Sequence, residues 1–189
     1  MKVITILTFS ITLLASTVSS QNACNGYTEL CDRLYSNVAH VTAHNAYASD
    51  PNSLASNQNF DIPTQLKDGI RGFMLDAHYP DNSTSEVHLC HNSCNFDFGK
   101  ATDILSQFVT WLGNNPNEVI TILWENSDKV PPATFDQIYT QSGLAKFAHV
   151  QEPNNNDWPS LTSMIESGKR VVNFIDTGAD PTTVPWYIT

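Results

Sequence analysis

Short apolar runs alternate with amphipathic stretches along most of the chain. Runs rich in Val, Ile, Leu and Phe predict buried strands at residues 37–43, 70–78, 86–91, 119–124 and 170–175. Apolar residues at helical spacing predict helices at residues 63–68, 101–112, 131–142 and 161–167, with Gly69 and Gly168 ending the first and the last. Strands that are buried on both faces and alternate with helices imply a parallel α/β sheet, and the closed form of such a sheet is a barrel.

The N-terminus has the pattern of a secretory signal. Lys2 precedes an apolar stretch at residues 3–15, and small residues follow up to Ser20. We therefore predict a signal peptide at residues 1–20 and a single secreted domain at residues 21–189, without a transmembrane segment. Asn82 begins an Asn-Ser-Thr sequon in a polar loop, which predicts a glycosylation site on the surface.

The charge balance narrows the possible partners. The net charge is −10, and removal of residues 1–20 takes away one lysine and no acidic residue, which leaves −11. A surface this acidic repels phosphate backbones and anionic bilayers. The sequence thus argues against nucleic acid as a partner and against strong electrostatic docking on a membrane.

Four cysteines remain in the predicted mature chain: Cys24, Cys31, Cys90 and Cys94. An oxidising compartment favours disulfides over metal ligation, and three pairings are possible. Sequence proximity favours Cys24 with Cys31 and Cys90 with Cys94. The second pair would close a small loop around His91, either to hold a catalytic histidine rigid or only to staple an exposed hairpin, and the sequence leaves both alternatives open.

Two histidines lie where predicted strands run out into loops. His44 follows the first strand, His91 ends the strand at residues 86–91, and the acidic strand that contains Asp76 lies between them in the chain. Two imidazoles that face one cleft can take a proton from one oxygen and give a proton to another. Cleavage of a phosphodiester near neutral pH requires this pair of proton transfers.

Side-chain alternation predicts an acidic group beside the histidines. Met74, Asp76 and His78 share one face of their strand, which should point into the barrel mouth. Glu125 leaves the next buried strand in the same direction, so that Asn45, Asp76 and Glu125 could offer three oxygens to one cation. Oxygen ligands suit Ca²⁺ or Mg²⁺ rather than zinc.

Several short motifs occur together in a fixed order. They are CNGYTELC at 24–31, AHNAY at 43–47, QLKDGIR at 65–71, HLCH at 88–91, NPNEV at 115–119 and SGKR at 167–170. In this order and spacing they resemble the phosphatidylinositol-specific phospholipase C X-domain superfamily, most closely its secreted fungal-type branch of PLC-like phosphodiesterases. The resemblance implies an α/β fold of the distorted TIM-barrel type, with His44 as the general base and His91 as the general acid.

The resemblance also implies where a metal would bind. In calcium-dependent members, Asn45, Asp76 and Glu125 match positions that supply metal oxygens, whereas Met74 stands where another acidic ligand is expected. A thioether cannot replace a carboxylate for calcium, so the implied site is weak. Metal-independent bacterial members have an arginine at the position of Asp76. Arg71 lies near the start of its strand, which favours a structural ion pair over contact with phosphate.

The sequence therefore predicts a secreted phosphoric diester hydrolase of phospholipase C type. It would act as a monomer on a lipid or small phosphodiester, with His78 as either a substrate contact or a satisfied interior residue. Because a complete eight-stranded α/β barrel takes about 250 residues, we expect the barrel to be incomplete at the C-terminus. The alternative is a non-catalytic barrel remnant that binds a ligand or a surface through the old pocket. The head group is left open.

Overall fold

The computed structural model describes residues 23–80, 83, 86–152 and 155–188. The predicted signal peptide and the predicted glycosylation site at Asn82 lie outside these residues and stay predictions. Within the described part of the chain, the strands are β1 (Thr42–Ala43), β2 (Gly72–His78), β3 (His88–Cys90), β4 (Asp97–Lys100), β5 (Ile120–Glu125), β6 (Val171–Ile175) and β7 (Tyr187–Ile188). The helices are α1 (Ile62–Lys67), α2 (Ala101–Asn114), α3 (Pro132–Ser142) and α4 (Leu161–Ser167). In the same part of the chain, no helix is long and apolar enough to span a membrane.

The strands form one sheet that is parallel over most of its width. β1, β2, β5, β6 and β7 run parallel in that order. The carboxyl end of β2 also pairs with the antiparallel β3, and β3 pairs in turn with the antiparallel β4. The sheet formed by the described strands is open. The predicted α/β class and the parallel arrangement of the central strands are confirmed, and the carboxyl ends of these strands meet at one edge, where α/β folds hold their chemistry.

Local signals explain the helices and the core. The Asp61 side chain caps α1 by accepting a hydrogen bond from the Thr64 amide at 3.0 Å, and Gly69 follows the helix with a φ of +98° that favours glycine. Phe73 of β2 packs edge-on against Phe108 of α2, with 4.8 Å between ring centroids, and both side chains are fully buried. The predicted helices and central strands are thus confirmed within a few residues.

The predicted strand at residues 37–43 is wrong in length. Residues Tyr35–Asn37 form a 3₁₀ turn, only Thr42–Ala43 pairs with β2, and Val41 is mostly exposed. The Tyr35 hydroxyl bonds Thr121 at 2.7 Å, and the Tyr35 amide bonds the Pro159 carbonyl at 2.9 Å, so the start of this segment bonds outside the β1–β2 ladder. β1 approaches β2 so closely that a Cβ on Gly72 would lie 2.1 Å from the Thr42 hydroxyl.

A β-hairpin replaces the strand predicted at residues 86–91. β3 covers only His88–Cys90, the chain reverses at Asn92 with a φ of +60°, and β4 returns antiparallel. A short loop can join only antiparallel strands, so the close spacing of Cys90 and Cys94 forces this reversal. The predicted disulfides Cys24–Cys31 and Cys90–Cys94 are both present.

The opposite edge of the sheet is fixed by two arginines. Arg71 pairs with Glu118 at 2.8 Å and donates to the carbonyls of Leu66 and Ile70, which confirms its structural role. Arg170 donates to three carbonyls at the end of α2 and in the loop that follows it, those of Leu112, Asn115 and Glu118. These bonds satisfy backbone oxygens that a helix end otherwise leaves unpaired.

Candidate active site

The predicted site residues come together around the carboxylate of Asp76. Asp76 lies near the carboxyl end of β2 beside Glu125 of β5, since the two residues are register partners. The charges of Glu125, His78 and His44 all act on the Asp76 carboxyl, and Asn45 connects Asp76 to His91. The parallel register places the strand ends at one edge, and the β3–β4 hairpin brings His91 to the same place.

Asn45 is the centre of the hydrogen bonding. It has a left-handed φ of +46° and is almost fully buried. Its side-chain amide lies 2.6 Å from Nδ1 of His91 and 2.8 Å from the amide of Asn57. An asparagine tolerates this backbone region better than most residues, so the AHNAY motif suits the turn that aims the amide inward.

The neighbours of Asn45 determine its amide orientation. With the amide oxygen toward His91, the amide nitrogen donates to both oxygens of Asp76 at 3.2 Å. The opposite orientation would place the amide oxygen against two carboxylate oxygens, which repel it. Asn45 therefore accepts a hydrogen bond from Nδ1 of His91, and the Nε2 atom of the ring remains for proton transfer.

Asp76 is a buried carboxyl group. Burial raises its pKa above the ordinary value, the hydrogen bond from Tyr47 opposes this rise, and the charge of Glu125 adds to it. The Tyr47 hydroxyl lies 2.9 Å from Oδ2 of Asp76 and 3.0 Å from the Cys90 carbonyl oxygen. Burial and the negative charge of Asp76 raise the pKa of Tyr47, so this hydroxyl stays a donor.

Tyr47 was missed by the sequence reasoning. A tyrosine in an apolar segment is usual in a core, so its type gave no signal of a polar role. Its position three residues after His44, within AHNAY, was the signal that could have found it. Its hydroxyl joins β2 to the loop that carries His91.

His91 sits in a short loop closed by the Cys90–Cys94 disulfide. Its amide bonds the Phe96 carbonyl at 3.1 Å, its carbonyl accepts from the Ser93 amide at 2.7 Å, and its side chain is half-buried. Backbone bonds and the disulfide together limit the positions that the imidazole can take relative to Asn45. The structure thus shows a restrained loop around His91, and a catalytic role for this histidine stays a prediction.

Removal of the Cys90–Cys94 disulfide by double substitution with alanine should lower turnover at least tenfold, because His91 loses its fixed position. The expected loss of stability is about 2 kcal/mol for so short a loop. The matched control is the double alanine variant of Cys24 and Cys31, whose disulfide lies at the opposite edge of the sheet. Steady-state kinetics and urea unfolding of both variants test this, and equal turnover in the two would make the disulfide a simple staple.

His78 is buried and has a partner of its own. Its Nδ1 lies 3.1 Å from Oδ1 of Asp128, and the other carboxylate oxygen of Asp128 accepts from the Tyr79 amide at 2.9 Å. Asp128 was not found from the sequence, because the contact joins β2 to the loop after β5. His78 also lies close enough to Asp76 for its charge to act on that carboxyl. Its role as a substrate contact stays a prediction.

Glu125 borders a cavity of about 260 Å³ at the carboxyl ends of β2, β5 and β6. Met74, Leu123 and Phe174 supply apolar walls, and Asp176 supplies a second carboxylate. Asp176 accepts a hydrogen bond from the Asn126 amide at 3.0 Å, so it holds the backbone that follows β5. The cavity is therefore a mostly apolar space that lies beside the carboxylates of Glu125 and Asp176.

Two carboxylates at the strand ends, those of Asp76 and Glu125, are the first candidate ligands for a cation. No group of three or more His, Cys, Asp or Glu side chains that could hold a metal occurs in the described residues. Asp76 and Glu125 are adjacent carboxylates and suit a hard cation, whereas the oxygen of Asn45 is engaged by His91. The predicted three-ligand site therefore requires Asn45 to leave His91, and the oxygens of Asp76 already accept hydrogen bonds from Asn45 and Tyr47.

Comparison with known proteins places this geometry in a family. A family model described as PI-PLC X 1 matches residues 30–189. A PI-PLC X domain-containing protein 1 from Arthroderma benhamiae is 36% identical over 169 residues, which cover 87% of this chain and 54% of that protein. A protein from the same fungus called an uncharacterized secreted protein is 38% identical over 171 residues, which cover 87% of this chain and 38% of that protein. The chain thus spans about half or less of the length of these relatives.

Solved structures support the same fold. The phosphatidylinositol-specific phospholipase C of Staphylococcus aureus, in an F249X mutant, matches with a TM-score of 0.58 and 18% identity, covering 80% of this chain and 52% of that one. The enzyme from Listeria monocytogenes matches with a TM-score of 0.57 and 15% identity, covering 78% and 54%. These structures are TIM-barrel enzymes. From the family match and the shared fold, the chain belongs to the PI-PLC X domain family.

Proposed function

We propose that this protein is a secreted phosphodiesterase of phospholipase C type that cleaves a phosphatidylinositol-like or related lipid phosphodiester. The observation that carries the proposal is the Asn45 amide, which contacts both His91 and Asp76, while the residue that precedes Asn45 in the chain is His44. The His91 imidazole is thus bonded through Asn45 to Asp76, and the charge of His44 acts on the same carboxyl. The two disulfides and a relative called a secreted protein support an extracellular location.

The chemistry follows from the roles of the two rings. His44 takes the proton from the attacking hydroxyl, whose oxygen forms a bond to phosphorus. The bond from phosphorus to the leaving oxygen breaks, and His91 gives that oxygen its proton from Nε2. Asn45 holds the Nδ1 side of His91 through both states, because an amide oxygen accepts from Nδ1 whether or not Nε2 carries a proton.

A divalent cation on the carboxylates of Asp76 and Glu125 is part of the proposal. When bound, such a cation would offset negative charge on the phosphate and on the attacking oxygen. The apolar Met74 beside the pair and the engaged Asn45 favour weak binding. In the absence of the cation, the same carboxylates repel each other and the phosphate, so calcium should assist the reaction.

The test is hydrolysis of phosphatidylinositol micelles by the whole protein, measured as release of inositol phosphate with calcium and with a chelator. We expect release in both conditions and a faster rate with calcium. No release by a folded, monodisperse protein, in micelles of several head groups, would refute the enzyme. It would favour the alternative of a non-catalytic barrel that binds a ligand, which the presence of Met74 in the acidic site also favours.

A further inference from the structure

The loop after the His44–Asn45 turn is closed at its base. The backbone amides of Asn57 and Gln58 both donate to the Ala48 carbonyl at 2.9 Å, and Ala48 is fully buried. The intervening residues 49–56 form a compact surface loop whose tip, Leu54, is 98% exposed. Loops with close, bonded ends of this kind are frequently functional.

Three side chains, two at the base of this loop and one in α1, form hydrogen bonds with the turn at residues 44–46. Asn57 lies 2.8 Å from the Asn45 amide, and Gln58 donates to the His44 carbonyl at 2.5 Å. Gln65 of α1 donates to the carbonyls of Ala46 at 2.9 Å and Phe60 at 2.7 Å. Each residue of the turn from 44 to 46 therefore has a partner on or beside the base of the loop.

The amide of Asn57 has a defined task in this arrangement. The Asn45 oxygen faces both His91 Nδ1 and the Asn57 amide, while the Asn45 nitrogen faces Asp76. Two acceptors in contact would repel, so Asn57 must present its amide nitrogen to the Asn45 oxygen. The oxygen of Asn45 then has two donors, and together they hold the amide in this orientation.

We propose that Asn57 is a positioning residue of this site: it locks the Asn45 amide and thereby keeps the His91 ring with its proton on Nδ1. Gln58 has the matching role on the other side, because it holds the backbone of His44. One exposed loop base thus sets the geometry of both histidines. The kinetic consequence rests on the proposed function, whereas the orientation of the ring does not.

The first test reads the ring directly. Long-range ¹H–¹⁵N correlation spectra of the neutral imidazole of His91, assigned with a His91→Gln variant, distinguish a proton on Nδ1 from a proton on Nε2. We expect Nδ1–H in the wild-type protein and a shift toward Nε2–H, the form that free imidazole prefers, in Asn57→Ala. Asn57→Asp should cause the same shift, because it keeps the shape and removes the donor.

The second test is kinetic. Asn57→Ala should lower kcat about tenfold with KM unchanged, as is usual for a residue that orients a catalytic group. The matched control is Asn59→Ala, an exposed asparagine two residues away on the same segment. Asn59→Ala should retain the wild-type tautomer, kcat and melting temperature.

The possible outcomes distinguish failure of the positioning role of Asn57 from failure of the proposed function. Wild-type His91 with its proton on Nε2, or an unchanged tautomer in both Asn57 variants, would overturn the positioning role whatever the activity. A tautomer shift as predicted in a protein that hydrolyses no phosphodiester would support the positioning role and refute the proposed function. Equal losses in the Asn57 and Asn59 variants would reduce the effect to loop stability.

Discussion

Replacement of either His44 or His91 with alanine should lower the turnover of phosphatidylinositol by two to four orders of magnitude, which is the usual contribution of a general base or acid. His44 is exposed, so His44→Ala should change the free energy of unfolding by less than about 0.5 kcal/mol. His91→Ala leaves the Asn45 oxygen with one donor fewer, which should cost about 1 kcal/mol. Initial rates and urea unfolding on the same preparations measure both quantities.

His88 provides the matched control for this experiment. It lies three residues before His91, on β3, and its ring is held by Asp97 at 2.7 Å and by Glu86 at 3.4 Å. His88→Ala should therefore lose stability and keep its turnover within about threefold. If all three alanine variants lost turnover and stability in proportion, the histidines would have structural roles and the two-histidine mechanism would be wrong.

The parts of the fold that the sequence predicted are those with strong local signals. Apolar runs such as residues 119–124 have no stable place except between two layers, so β5 was predicted almost to its bounds. Gly168, in the left-handed region, ended α4 where expected. The β3–β4 hairpin was only one alternative for the Cys90–Cys94 loop, because the three residues of β3 are too few for their pattern to indicate the direction of the next strand.

The residues of the candidate site likewise divide into those that the sequence could reveal and those that it could not. His44, His91 and Asp76 could be found because their residue types suit proton transfer and they lie at strand ends. Asn57 and Asp128 could not, since each acts through a contact that the fold creates between separate segments, and Tyr47 had only its place in the AHNAY motif as a signal. Asn45 was predicted as a cation ligand, whereas in the structure its buried amide is bonded to His91 and Asp76. Whether it also ligates a cation stays a prediction.

Asp76→Asn should make the protein more stable at pH 7. Burial raises the pKa of the Asp76 carboxyl in the folded protein above its value in the unfolded chain, so folding favours the neutral form. The stability that this group contributes is complete below the unfolded pKa of about 3.9 and is lost as the pH rises through the folded pKa. Asparagine is neutral at every pH and avoids that loss.

The expected gain is about 1 to 2 kcal/mol at pH 7, and it should vanish near pH 3.5, where the wild-type carboxyl is also protonated. Urea unfolding at the two pH values, in buffer with a chelator, measures the difference. Asp180→Asn is the control of opposite sign, because hydrogen bonds from Thr182 and Thr183 lower the pKa of that exposed carboxyl. Its removal should leave the protein equally or less stable at pH 7.

The same Asp76 variant should lose activity, because asparagine cannot accept both bonds from the Asn45 nitrogen or join Glu125 in holding a cation. A gain in stability together with a loss of turnover would mean that the fold tolerates a buried charge for the sake of the chemistry. If Asp76→Asn were instead less stable at pH 7, the hydrogen bonds from Tyr47 and Asn45 would outweigh burial. The carboxylate would then be a structural anchor in its ionised form.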